Sequence, residues 1–210
     1  MIELFGSALV TFLVIIDPPG CAPIFAGLTS DAVPAHRRAM AVRAALIAWA
    51  ILMFFGLLGR PMLHALGISL ASFRIAGGVM LFMIALDMVF ERRTARRENR
   101  AHSIEGTPEA EDISVFPMAI PMIAGPGSIA SAMLWVSRAD GVAAVLTVLA
   151  AITVVILVTL LALLAAGPIM RLIGDRLEAM ITRILGVILA ALAAQFIVDG
   201  IKQSFPSVLA

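Results

Sequence analysis

Two short stretches decide the fold of this chain: Asp17-Pro18-Pro19-Gly20 and Ala124-Gly125-Pro126-Gly127, each set inside a long apolar run. Proline removes a backbone donor and glycine tolerates the dihedrals at which a helix stops, so each stretch interrupts a helix. A bilayer interior offers no water to the backbone groups set free. Such breaks are tolerated there where they line a cavity enclosed by protein. Two of them, similarly placed in two halves of a chain, point to a transporter binding site.

The apolar setting is unambiguous. Of 210 residues, 61% are hydrophobic and 14% charged, with a mean hydropathy of +1.06, so the chain lacks the polar shell a water-soluble domain needs. The apolar runs suit helices, which need about 20 residues to cross roughly 30 Å of hydrocarbon, and they lack the alternation of barrel strands. The expected class is an all-α polytopic membrane protein. A formal net charge of +1 gives no reason to expect nucleic acid as a partner. Met1 to Ile16 carry Glu3 and no basic residue, with no small-residue cleavage site after them, so they read as retained rather than as a signal peptide. The single cysteine, Cys21, excludes an internal disulfide and reads as a small packing residue beside the first break.

Hydropathy predicts six spans, at about residues 2–28, 40–60, 68–90, 114–137, 141–167 and 178–200. A charged loop, 91–113, separates a first three-helix unit, 1–90, from a second, 114–203. Basic residues near membrane ends favour the cytoplasmic side. Arg37, Arg38, Arg43, Arg92, Arg93, Arg96, Arg97, Arg100, Arg171, Arg176 and Arg183 belong to the odd loops, against Arg60, Arg74, Arg138 and Lys202 on the even side. Odd loops are therefore expected in the cytoplasm and both termini outside.

The two halves also match each other. Pro19-Gly20 aligns with Pro126-Gly127, Pro61 with Pro168 and Gly67 with Gly174 at an offset of 107; Arg74-Ile75 aligns with Arg183-Ile184 and Gly77 with Gly186 at 109. Three spans per copy is an odd number, so a duplicated unit enters the membrane from the opposite side. The expectation is two inverted repeats, with the first and fourth spans broken near mid-membrane. Residues 3–16 climb roughly 20 Å before Asp17, which brings the two breaks together near a pseudo-two-fold axis.

At each break one half-helix presents carbonyls and the next presents N–H groups, with partial negative and positive charge. Together they can hold a zwitterion. A carboxylate would sit on N–H groups after Gly20 or Gly127, and an ammonium group or cation on carbonyls or on Asp17. Candidate substrate-binding residues are Asp17, Pro19, Gly20, Cys21, Gly125, Gly127, Ser128 and Ser131. Asp17 has two readings, an N-cap ahead of two prolines or a coupling carboxylate. Asp87 is a second coupling candidate, with interfacial pairing to Arg92 and Arg93 as the alternative. Ser128 and Ser131 can donate to a carboxylate or simply pack, since Ala124, Ser128 and Ala132 recur every four residues.

Other features read as structural. Pro117 and Pro121 should bend the fourth span, Arg74 and Arg183 serve as interfacial anchors, and Asp199 and Gln195 meet interfacial solvent. His36, His64 and His102 are too dispersed for a metal site, and no hydrolase motif appears, so no enzyme activity, metal or cofactor is expected. An aspartyl hydrolase pairing Asp17 with Asp87 would need two carboxylates in near contact, whereas their depths differ. Small-residue faces such as Ala162 and Ala166 fit either internal packing or a homo-oligomer.

The run Asp17-Pro18-Pro19-Gly20-Cys21-Ala22-Pro23-Ile24-Phe25, together with Phe116-Pro117-Met118-Ala119-Ile120-Pro121-Met122-Ile123-Ala124-Gly125-Pro126-Gly127-Ser128, resembles the signatures of the MarC family of inner-membrane proteins. The resemblance covers essentially the whole chain. It departs at Cys21, where the family motif usually carries asparagine. What the resemblance implies is transport of small neutral amino acids such as glycine and alanine across the inner membrane, coupled to protons or another cation. Export of other small metabolites or amphiphiles is the alternative, and a non-transporting scaffold, which predicts a dry, filled space between the breaks, is a further one.

Overall fold

The computed structural model describes residues 1–30, 32–90 and 112–205, and the side chains of all of these except 167–179. The charged stretch 91–111 lies outside the described residues, and with it the expected pairing of Asp87 with Arg92 and Arg93. Seven α-helices run through the rest: α1 (Ile2–Ile16), α2 (Pro18–Leu28), α3 (Pro34–Ala65), α4 (Leu70–Val89), α5 (Pro126–Arg138), α6 (Val142–Leu164) and α7 (Ala166–Ser204). Five runs are long and apolar enough to cross a membrane, and a sixth is made by the segment Ser114–Ile123 together with α5.

Local chemistry explains where the helices stop. The ring of Pro18 disfavours a right-handed helical conformation at Asp17, and aspartate is among the few residues that tolerate the left-handed alternative. Asp17 adopts it, at φ 58° and ψ 67°, so α1 ends and α2 begins around one residue. Pro18 and Pro19 then occupy the first turn of α2, where a missing N–H does no harm.

The second break is larger than a kinked helix. Phe116 (φ −124°, ψ 126°) and Ile120 (φ −126°, ψ 124°) are extended, and each precedes a cis proline, Pro117 or Pro121. Proline pushes the residue before it out of the helical region, and here it does so twice within one turn. Ser114–Ile123 is consequently a wide irregular coil, and it meets α5 at 54°. Two further boundaries differ from expectation. α3 begins at Pro34 and runs 32 residues, carrying its basic end past the apolar window. α7 begins at Ala166, one residue after α6, because Pro168 falls in its first turn and so does not delay its start.

Apolar transfer offers no driving force between helices in lipid, so close packing has to hold the bundle together. Glycines on α4 and α7 let the two backbones touch. A methyl added at Gly78 would sit 2.9 Å from the Ala193 carbonyl oxygen, one at Gly200 would sit 2.9 Å from that of Ala71, and one at Gly186 3.1 Å from that of Ala85. The contacts are reciprocal along an antiparallel pair.

The other strong pairings also cross between the halves: α1 and α2 pack on α6, while α3 packs on α5 and on Ser114–Ile123. The broken spans form the interior. The first is 72% buried against 28–39% for the windows in α3, α4, α6 and α7, and α5 is buried on every side from Ala130 to Ser137. Leu46, Phe54, Met83, Leu157 and Val187 project from the surrounding helices as an apolar belt.

Candidate functional site at the two helix breaks

At the first break the Asp17 side chain is buried, and its Oδ1 accepts the Gly20 N–H at 3.2 Å. The Asp17 carbonyl accepts the Cys21 N–H at 3.1 Å, and its own N–H donates to Leu13. The N-cap geometry is thus present. It has a consequence for the expected carboxylate site. Pro18 and Pro19 have no N–H, and those of Gly20 and Cys21 are both taken, so the start of α2 offers a ligand no donor. The polar groups there are the Asp17 carboxylate and the backbone carbonyls before it.

The carbonyls of Val14 and Ile15 lose their helical donors to the two prolines, and that of Ile16 loses Gly20 to Asp17. The Cys21 thiol points back and donates to the Ile16 carbonyl at 3.4 Å. Val14, Ile15, Ile16, Asp17 and Cys21 each take part in a further interaction. A methyl on Gly20 would come within 2.3 Å of Asp17 Oδ2, so the carboxylate lies directly over the glycine.

The second break has the opposite character. Gly125 is the N-cap of α5 and has no side chain with which to close it, so the N–H groups of Gly127 and Ser128 form an uncapped positive helix end. Gly125 is itself confined, since a methyl there would lie 2.4 Å from the Pro121 carbonyl. Ser128 is buried, and Ser131, one turn on, is fully buried with no hydrogen-bond partner for its Oγ among the described residues.

The two breaks come together in space. A methyl at Gly127 would sit 3.5 Å from Ile15 Cγ2 and 3.7 Å from Leu81, and would collide with Ile84 Cδ1 at 2.4 Å. Ile15, Leu81 and Ile84 fill the gap. A crevice of about 70 Å³ lined by Phe25, Pro34, Arg37, Arg38, Leu163 and Leu164 is separate from the breaks.

The predicted residues therefore fall into two groups, Asp17, Pro19, Gly20 and Cys21 at the acceptor break, and Gly125, Gly127, Ser128 and Ser131 at the donor break. Asp87 is half-buried in the last turn of α4. Asp199, half-buried, and Gln195, exposed, belong to a polar group at one end of the bundle. Asp199 pairs with Arg138 and accepts from Gln195 Nε2 at 2.7 Å. Arg138 lies over the Phe196 ring at 4.3 Å, Arg60 donates to the Ser137 carbonyl, and Arg74 donates to Gln203 at 2.9 Å. At the other end Arg43 pairs with Asp112.

Trp135 and Arg138 were not among the sequence candidates. The signal that finds them is the spacing of Ser128, Ser131, Trp135 and Arg138, which repeats on one helix face.

Comparison with known proteins matches the chain over nearly its full length. Residues 2–205 match the model of the MarC family of integral membrane proteins. A UPF0056 membrane protein of Archaeoglobus fulgidus is 33% identical over 206 residues, 98% of this chain and 96% of that one. A UPF0056 membrane protein of Methanocaldococcus jannaschii is 36% identical, over 96% of this chain and 97% of its own. The UPF0056 inner membrane protein YhgN of Escherichia coli K12 is 32% identical, over 94% and 95%. No solved structure matches. With the family model and these relatives all aligned nearly end to end, the chain belongs to the MarC family of integral membrane proteins.

Proposed function

We propose that this protein is a secondary transporter of small neutral amino acids, such as glycine and alanine, working by alternating access in the inner membrane and coupled to protons or another cation. The observation that carries the reading is the meeting of two buried helix breaks of opposite polarity. One presents a carboxylate and carbonyls, the other uncapped N–H groups and hydroxyls. That arrangement is complementary to a zwitterion and fixes its direction: ammonium toward Val14–Asp17, carboxylate toward Gly127, Ser128 and Ser131. Ile15, Leu81 and Ile84 crowd the gap, which favours a substrate with little or no side chain.

Asp17 is the preferred coupling residue, because a carboxylate deep in a membrane-spanning segment usually faces a cavity or pathway for an ion or proton. Asp87 is the second candidate. The cross-half pairing of the helices supports the two-fold exchange of inverted repeats, which is the geometry of rocking-type transport. The arginine distribution supports odd loops in the cytoplasm and both termini in the periplasm. The partners are then the small-molecule substrate and the lipid bilayer, with self-association through small-residue faces.

The test is counterflow in proteoliposomes with radiolabelled glycine and alanine. Saturable exchange that discriminates against charged amino acids supports the proposal; no exchange and no binding across the neutral amino acids refutes it.

A further inference from the structure

Beyond the break, α5 carries a row of hydrogen-bond donors along one face. Ser128, Ser131, Trp135 and Arg138 follow at intervals of three, four and three, which at 100° per residue keeps them within a sector of roughly 80°. Two members of the row are buried and unmatched. Ser131 Oγ and Trp135 Nε1, in side chains 0% and 7% exposed, have no hydrogen-bond partner among the described residues. A buried donor left so is costly, and here two occur one turn apart on the face that begins with the uncapped N–H groups of Gly127 and Ser128. Packing alone would be served better by alanine and phenylalanine.

The row ends at the Arg138–Asp199 pair, with Trp135 edge-on to Phe196 at 6.0 Å beneath it. On the same end, Arg74 has a buried Nε with no hydrogen-bond partner among the described residues. Ser128, Ser131, Trp135 and Arg138 make the face a run of side-chain donors, and the ligand group complementary to such a run is a small anion.

We propose that this face of α5 is one wall of the translocation path, that it receives the substrate's carboxylate between the Gly127 break and the Arg138 end, and that the Arg138–Asp199 pair closes that end. The proposal rests on the zwitterion reading of the breaks. Each donor takes the carboxylate from the one before, so the charge is never left unpaired in the bundle. Opening requires Asp199 to release Arg138 and α7 to move away from Trp135.

Cysteine accessibility in intact proteoliposomes tests the wall independently of substrate identity. Ser131→Cys and Trp135→Cys lie on the face; Ala130→Cys and Met133→Cys are equally buried on the opposite one. With native Cys21 retained and each site read by peptide mass, a charged thiosulfonate reagent is expected to modify the first pair at least about 10-fold faster, since reaction needs the thiolate and hence water. Glycine or alanine should slow that modification, and Asp199→Asn should speed it.

Ser131→Ala and Trp135→Phe keep the packing and remove the donors; each should raise the apparent KM about 10-fold, the loss expected for a hydrogen bond to a charged group. Equal, slow modification on both faces of a protein that exchanges glycine overturns the wall and leaves the transport reading standing. So does an unchanged KM in both donor-deleted variants. Face-specific modification without neutral amino acid exchange supports the wall and removes the proposed substrate.

Discussion

Two glycines in α2 make opposite predictions for the same substitution. Gly20 lies under the Asp17 carboxylate, and a methyl there would stand 2.3 Å from Oδ2, 2.9 Å from Cγ and 3.1 Å from Oδ1. All three distances are too short, so the carboxylate must leave its cap position. The cap is the Gly20 N–H to Asp17 Oδ1 bond, and its loss from a buried charged group costs up to about 3 kcal/mol. Alanine returns at most about 1 kcal/mol through helix propensity. Gly20→Ala should therefore destabilise by about 2 kcal/mol. At Gly27, in the last turn of the same helix, an added methyl meets nothing within 4 Å, so Gly27→Ala keeps the propensity gain.

For a chain of this length 1 kcal/mol moves Tm by about 2–4 °C. Thermal unfolding followed by the fluorescence of Trp49 and Trp135 should place Gly20→Ala roughly 5 °C below the parent and Gly27→Ala at or slightly above it. If Gly20→Ala unfolds at or above Gly27→Ala, the carboxylate does not rest on Gly20 and the cap geometry is wrong.

Asp17→Asn separates the two roles of that residue, because asparagine caps as well as aspartate. Stability should change by less than about 0.5 kcal/mol while the proton or cation dependence of exchange is lost; unchanged coupling would leave Asp17 as a cap alone. Gly78→Ala should cost about 1–3 kcal/mol, because its methyl would face backbone atoms of Ala193 and Ile197 that cannot turn aside, whereas Gly6→Ala, inside α1 with open space around it, should be neutral or slightly stabilising. Equal melting of these two variants would contradict the α4–α7 contact.

Burial works against the charge of Asp112, but the Ser114 donor at 3.0 Å and the Arg43 and His36 charges outweigh it and hold its carboxyl below the ordinary value. A lowered folded pKa means that its stabilising contribution is complete above the unfolded value of about 3.9 and vanishes as pH falls through the folded one. Asp112→Asn should then be slightly less stable than the parent near pH 7, the difference being small for a pair exposed by 50% and 40%, and the gap should close in acid. A gap that widens below about pH 4 would reverse the assigned sign.

The breaks were legible in the sequence because proline and glycine act locally. Pro18 disfavours a right-handed helical conformation at Asp17 whatever surrounds it, and the hydrophobic runs mark out the spans with little regard to packing. The donor and acceptor assignment was not legible. It depends on Asp17 turning back to take the Gly20 N–H, one of several rotamers that the sequence alone leaves equivalent. Pro117 and Pro121 announced bending, yet the coil at Ser114–Ile123 needed both residues before them to become extended together. Ile84 and Asp199 could not be placed because their partners, Gly127 and Arg138, lie on helices remote in the chain.

The helix pairing reaches beyond transport to the way the protein is made. Among the described residues, the strong contacts of α1 to α4 are with the Ser114–Ile123 coil, α5, α6 and α7, and hardly any join two helices of the same half. As the ribosome delivers the first three spans to the membrane, they have nothing of their own to pack against. Gly78, its backbone surface bare, waits for Ala193, more than a hundred residues later. Each half is in effect the other's folding template, and a chain cut in the charged loop should accumulate only when both fragments are synthesised in the same cell.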